Sequence, residues 1–120
     1  MTLENLTTSA IQLLKDLIEI PSFSSEEHLT AARIEAWFIN YKIPFQRTQN
    51  NIWATNADFD PSKPTLLLNS HHDTVKPNNG YTKDPFKAQV EDGKLFGLVR
   101  SGWLVGRSGW TGLGLAVLFG

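Results

Sequence analysis

The chain is predicted to fold as an α/β protein, on three observations. Two early segments carry apolar residues at helical spacing: Ile11, Leu14 and Leu17/Ile18 in one, Ile34, Trp37, Phe38 and Tyr41 in the other. The run Thr65-Leu66-Leu67-Leu68-Asn69 is short, continuously apolar at its centre and bounded by turn residues. That is the pattern of a strand covered on both faces, which implies helices on both faces of its sheet. Finally, Asp92-Gly93 sits between two alternating runs, a strong hairpin signal.

Taken in order, the first helix is expected to be capped by Thr7, Thr8 or Ser9 and stopped by Pro21, because the residue before proline disfavours the helical region. Ser24 and Glu27, three residues apart, fit a capping box for the second helix, and Pro44 follows its end. Phe45 to Thr48 and Ile52 to Thr55 are short and β-prone, with Asn50-Asn51 as turn chemistry between them. Asp58 to Pro64 reads as a polar loop, and Lys76 to Lys83 as a long one. Phe86, Ala88 and Val90 alternate, and Leu95 and Phe96 return after the Asp-Gly turn. Trp37 and Trp53 are expected in the core.

With 120 residues, the chain suits one small domain rather than two. Hydrophobic residues make up 41% and charged ones 19%, a globular rather than a disordered balance. A formal net charge of -1 gives no electrostatic case for nucleic acid or an anionic membrane. The absence of cysteine excludes a disulfide framework and thiolate chemistry, so any metal must be held by His, Asp or Glu. The N-terminus lacks the basic and apolar regions of a secretory signal, and no apolar stretch is long enough to span a membrane. A soluble cytoplasmic protein is the expectation.

His71, His72 and Asp73 follow directly on the apolar run, where open α/β sheets bind their ligands. Side chains alternate along extended backbone, so His71 and Asp73 share one side and His72 faces the other. His71 on that side can ligate a metal through one ring nitrogen. Asp73 can accept a hydrogen bond from a ligating imidazole or serve as a ligand itself. His72 is expected to be structural, and His28 to be a surface residue. Asp84, Glu91 and Asp92 read as solvated turn carboxylates. The plain alternative for the whole cluster is a solvated strand end.

The order of these features resembles the amino-terminal part of the two-zinc aminoacylase and carboxypeptidase family. That family includes acetylornithine deacetylase, succinyl-diaminopimelate desuccinylase and carboxypeptidase G-type enzymes. The resemblance is carried by Leu14-Lys15-Asp16-Leu17-Ile18-Glu19-Ile20-Pro21-Ser22 with Ser24-Ser25-Glu26-Glu27, and by Leu66-Leu67-Leu68-Asn69-Ser70-His71-His72-Asp73-Thr74-Val75. Asp84-Pro85-Phe86 and Glu91-Asp92-Gly93-Lys94-Leu95-Phe96-Gly97 complete it, so that it covers residues 3 to 98. The wording Ser-His-His-Asp-Thr-Val is most similar to the acetylornithine deacetylase side.

The resemblance implies an incomplete three-layer α/β/α zinc-hydrolase catalytic domain over residues 1–98. His71 would ligate one zinc ion, and Asp73 would be the catalytic carboxylate that orients it. In the whole enzyme two zinc ions, or cobalt in their place, polarise an amide carbonyl and acidify a bridging water. A Glu serves as general base, and the substrate is a small N-acyl amino acid. The family is homodimeric through a lid domain that this stretch does not include.

The pattern stops at Leu98. The family continues with Gly-x-Gly-x-x-Asp-x-x-Gly, whose Asp bridges the metals, whereas this chain reads Val99-Arg100-Ser101-Gly102-Trp103. Six of the 9 glycines lie beyond Leu98, and no Asp, Glu, His, Asn, Gln or Lys does. Arg-Ser-Gly-Trp occurs twice, ending at Trp103 and Trp110. Residues 99–120 are therefore expected to be a Gly/Trp-rich tail read out of frame or from a broken gene end, with a divergent terminus as the alternative. The expected product is an inactive fragment that binds zinc weakly or not at all, with exposed sheet edges and a partly molten character. Two rival readings are a small non-enzymatic α/β interaction module, and another metal hydrolase completed by a partner chain.

Overall fold

The computed structural model describes residues 2–98 and the strand Leu118–Phe119. The expected tail over residues 99–120, with its repeated Arg-Ser-Gly-Trp, lies outside the described residues apart from that strand. The fold is mixed α/β.

Helix α1 spans Leu3–Glu19 and starts earlier than its apolar spacing suggests. Its cap is Thr2, whose hydroxyl accepts from the Asn5 N–H at 3.2 Å, and Glu4 in the first turn complements the helix dipole. Thr7 and Ser9, expected as caps, lie inside the helix. Thr7 turns its hydroxyl back to the Leu3 carbonyl, and Ser9 accepts from Trp37 Nε1 at 2.9 Å. The apolar period marks only the half of α1 that meets a partner: Leu13 and Ile18 are buried, while Leu3, Leu6 and Ile11 face solvent. Ile20 is extended and ends the helix ahead of Pro21, as expected.

Helix α2 spans His28–Asn40. The expected capping box does not form, because Glu27 occupies the cap and no side-chain cap bond is made. The core is Ala31, Ile34 and Phe38 of α2 against Ile52, rimmed by Leu17, Trp37, Ile43, Phe45 and Ala54. Phe38 stacks on Phe45 with ring centroids 5.6 Å apart. Neither expected tryptophan is central: Trp37 is half-buried at the rim, and Trp53 is half-buried outside that cluster. Ion pairs Arg33–Asp16 and Arg47–Glu35 tie α2 to α1 and to the first hairpin.

That hairpin pairs β1, Gln46–Thr48, with β2, Asn51–Trp53, and Thr48 faces Asn51. Its turn is Gln49-Asn50, one residue earlier than expected, with Gln49 at φ 56°. Strand β3 covers only Asn69–Ser70. The expected strand over Thr65–Asn69 is therefore corrected: residues 65–68 join no ladder, and Leu66 and Leu67 are 75% and 66% exposed. A strand of this kind is held by neighbours on its edges and faces. The described residues supply one edge partner, Leu118–Phe119, which pairs in parallel with β3 and antiparallel with β2.

The last hairpin matches its sequence signal. Strands β4, Gln89–Glu91, and β5, Lys94–Phe96, are joined by Asp92 at φ 50° and Gly93 at φ 72°, the primed turn that suits strand twist. In chain order Leu118–Phe119 is β6, and it lies between β2 and β3. Just past β5, Gly97 rests on Ile18 of α1 so closely that a Cβ there would come within 2.5 Å of its side chain.

Candidate metal-ligand site

Beyond β3 the backbone at His72 to Thr74 runs beside the α1–α2 linker. The Thr74 N–H donates to the Ser22 carbonyl at 2.7 Å, and Phe23 and Thr74 form an isolated parallel bridge. Ser22 is buried and returns its hydroxyl to the His72 carbonyl at 2.7 Å. The linker after Pro21 thus acts as a short strap that holds the strand end in place.

The alternation expected from sequence is present. His72 turns inward and is 8% exposed. Its Nε2–H donates to the Asn50 carbonyl at 3.0 Å, and its Nδ1 lies 2.7 Å from the Thr30 hydroxyl. It therefore joins the strand end to α2 and to the first hairpin turn, the structural role expected of it. The partners Ser22, Thr30 and Asn50 were not expected from sequence, because an ordinary Ser, Thr or Asn in a linker, helix or turn gives no local signal of its long-range use.

On the other side His71 and Asp73 meet. Nδ1 of His71 is 2.9 Å from Asp73 Oδ1 and 3.1 Å from the Asp73 carbonyl oxygen. Both oxygens are acceptors, so Nδ1 carries the proton and Nε2 keeps its lone pair. Nε2 makes no hydrogen bond among the described residues, and the ring is partly open to solvent, with 40% side-chain exposure. Ligating histidines commonly show this arrangement, with one nitrogen donated to a carboxylate and the other left for the metal. Partial burial pushes the Asp73 carboxyl upward. Hydrogen bonds from His71 and Ser24, with electrostatic attraction from the His71 ring, outweigh it and hold the group below the usual carboxylate range.

These donors fit one arm of a zinc site, a ligating imidazole with its orienting carboxylate. They do not fit a whole one: a catalytic zinc normally takes three side-chain ligands, and among the described residues no three His, Asp or Glu groups converge. Asp84 is engaged instead with the Phe86 N–H at 3.0 Å, and Glu91 with Lys83 at 2.9 Å, while Asp92 and His28 are exposed. The hollow beside the first hairpin, lined by Pro44, Phe45, Gln46, Trp53, Ala54 and Thr55, holds no titratable side chain and none of the residues around His71.

No family model matches the chain. Among curated proteins it is similar to the succinyl-diaminopimelate desuccinylase of Xylella fastidiosa (strain 9a5c), 32% identical over 96 residues, or 75% of this chain and 25% of the relative. The protein of the same name from Gluconacetobacter diazotrophicus is 33% identical over 97 residues, covering 76% and 25%. That from Xanthomonas campestris pv. campestris (strain B100) is 32% identical over 98 residues, covering 77% and 25%. The chain thus spans a quarter of the length of the relatives it matches.

Proposed function

Because the chain belongs to the aminoacylase and carboxypeptidase family, of which the desuccinylases are members, we propose that it carries one arm of a metal-dependent centre hydrolysing N-acyl amino acids. The observation behind this reading is the His71–Asp73 pair, with Nδ1 held at 2.9 Å and Nε2 without a hydrogen bond among the described residues. Zinc bound there would supply Lewis acidity toward an amide carbonyl and a more acidic water.

The chain's own residues have narrower tasks. His71 offers Nε2 as a ligand. Asp73 holds the ring in the orientation and tautomer that expose that nitrogen, and the negative carboxylate strengthens the imidazole as a donor. Ser22 and His72 fix the backbone between them. With one imidazole and one orienting carboxylate among the described residues, the chain alone binds zinc weakly and does not complete a turnover. In the whole enzyme the substrate is a linear N-acyl amino acid. The relatives' names favour a succinyl group on diaminopimelate, while the wording Ser-His-His-Asp-Thr-Val resembles the side of the family that removes an acetyl group from ornithine. Both are amides of an amino-acid amine. A cytoplasmic location and a homodimeric whole enzyme go with this reading.

Zinc or cobalt titrated into the purified chain, followed by the ring resonances of His71, tests it. The expected result is weak binding that disappears in His71→Ala, with no hydrolysis of N-acetylornithine or N-succinyl-diaminopimelate. An unperturbed His71 at saturating metal would remove its ligand role. Metal-dependent turnover would show that the chain suffices without further residues.

A further inference from the structure

We infer that Ser24 is a positioning residue for the His71–Asp73 pair, an inference that rests on the reading of His71 as a metal ligand. Its hydroxyl donates to Asp73 Oδ2 at 3.2 Å, while Oδ1 receives Nδ1–H of His71 at 2.9 Å. A carboxylate held by one oxygen rotates in a broad, two-fold χ2 well. With both oxygens engaged, the carboxylate plane is set, and the imidazole bonded to it follows.

Ser24 reaches Asp73 from a fixed backbone. On one side the Thr74 N–H is bonded to the Ser22 carbonyl at 2.7 Å. On the other, the Glu26 N–H closes a turn onto the Phe23 carbonyl at 2.7 Å, across Ser24 and Ser25. Ser25 sits at φ 71°, a left-handed conformation that a non-glycine residue keeps only where its surroundings hold it. The Phe23 ring meets Phe86 edge-on at 6.0 Å, a further contact on the same turn. The hydroxyl that a capping box would place on α2 is therefore directed at the site, while α2 starts without a side-chain cap.

The test compares the full chain with Ser24→Ala and Ser24→Thr. Long-range proton–nitrogen spectra report which ring nitrogen of His71 carries the proton, zinc titration reports affinity at that ring, and circular dichroism reports helix content. Ser24→Ala is expected to mix the Nε2–H tautomer into His71 and to weaken zinc binding about tenfold, the low end for groups that orient a ligand. Ser24→Thr should restore both, and helix content should hold in all three proteins. An unchanged tautomer in Ser24→Ala overturns the inference, as does a loss of helix with the tautomer intact, which would return Ser24 to a capping role. If the unaltered chain binds no zinc, the metal reading fails, and the tautomer comparison alone still decides the role of Ser24.

Discussion

Helix α2 and the run over residues 65–68 are both rich in apolar side chains, yet they meet opposite surroundings. In α2, Ile34 is fully buried and Phe38 nearly so, whereas Leu66 is 75% exposed and Leu67 66%. The contrast follows from how each kind of element is satisfied. A helix closes its backbone hydrogen bonds within itself and needs one apolar neighbour for one stripe. For α2 that neighbour is at hand in Leu17 of α1 and Ile52 of β2. A buried strand needs partners on both edges and cover on both faces. The described residues give the strand end one edge partner and leave the leucines before it open. The short α2 stripe therefore builds a core with the neighbours it has, whereas Leu66 and Leu67 find no cover among the described residues.

The largest expected effect breaks the comparison at its strong end. Ile34→Ala removes a fully buried side chain at the centre of the core and should cost about 2–5 kcal/mol in denaturant unfolding. Leu67→Ser, at an exposed site, should change stability by less than about 0.5 kcal/mol. Comparable losses at the two positions would mean that the leucines are buried in solution and that the contrast is wrong. A smaller effect asks whether the last hairpin packs on α1. Gly97→Ala would push a Cβ into buried Ile18 of α1, and overpacking of that kind costs about 1–3 kcal/mol. A neutral Gly97→Ala, measured by the same unfolding curve, would show the hairpin free of α1.

The contrast also explains what was legible in the sequence. The two helices, Ile34 and Phe38 in the core stripe of α2, and the Asp92-Gly93 turn follow from signals within a few residues, whereas the caps of both helices do not. The alternation of His71, His72 and Asp73 is equally local and places the three side chains as expected. Misreadings arose where a side chain has two possible partners. Ser24 could cap a helix or bond Asp73, and a partner 49 residues away took it. Thr65–Leu68 reads as a buried strand because its composition suits one, but composition names no neighbour. Thr2 caps α1 one turn ahead of Leu6, where Leu3 and Leu6 face solvent and Thr7, Thr8 and Ser9 offer equally suitable capping side chains further on.

The smallest expected effect sharpens what holds α1 to α2. Asp16 of α1 accepts from Arg33 Nε of α2 at 2.9 Å and from Gln12 of its own helix at 2.8 Å. Partial burial raises its carboxyl, but the hydrogen bonds from Gln12 and Arg33 and the guanidinium charge outweigh it, so the group ionises below its ordinary value. A carboxyl with a lowered pKa in the folded state stabilises that state above its unfolded value, near pH 4, and the contribution fades as pH falls through the folded value. The pair is still partly solvated, so the contribution is about 0.5–1 kcal/mol. Asp16→Asn should therefore lose that amount at neutral pH, and its unfolding curve should merge with that of the unaltered chain as pH drops below about 4. A gap that stays constant into acid would mean that the helices are joined through shape and apolar contact alone, with the charge irrelevant. A gap that closes assigns the ion pair a share of the α1–α2 interface that the exposed leucine run has no counterpart for.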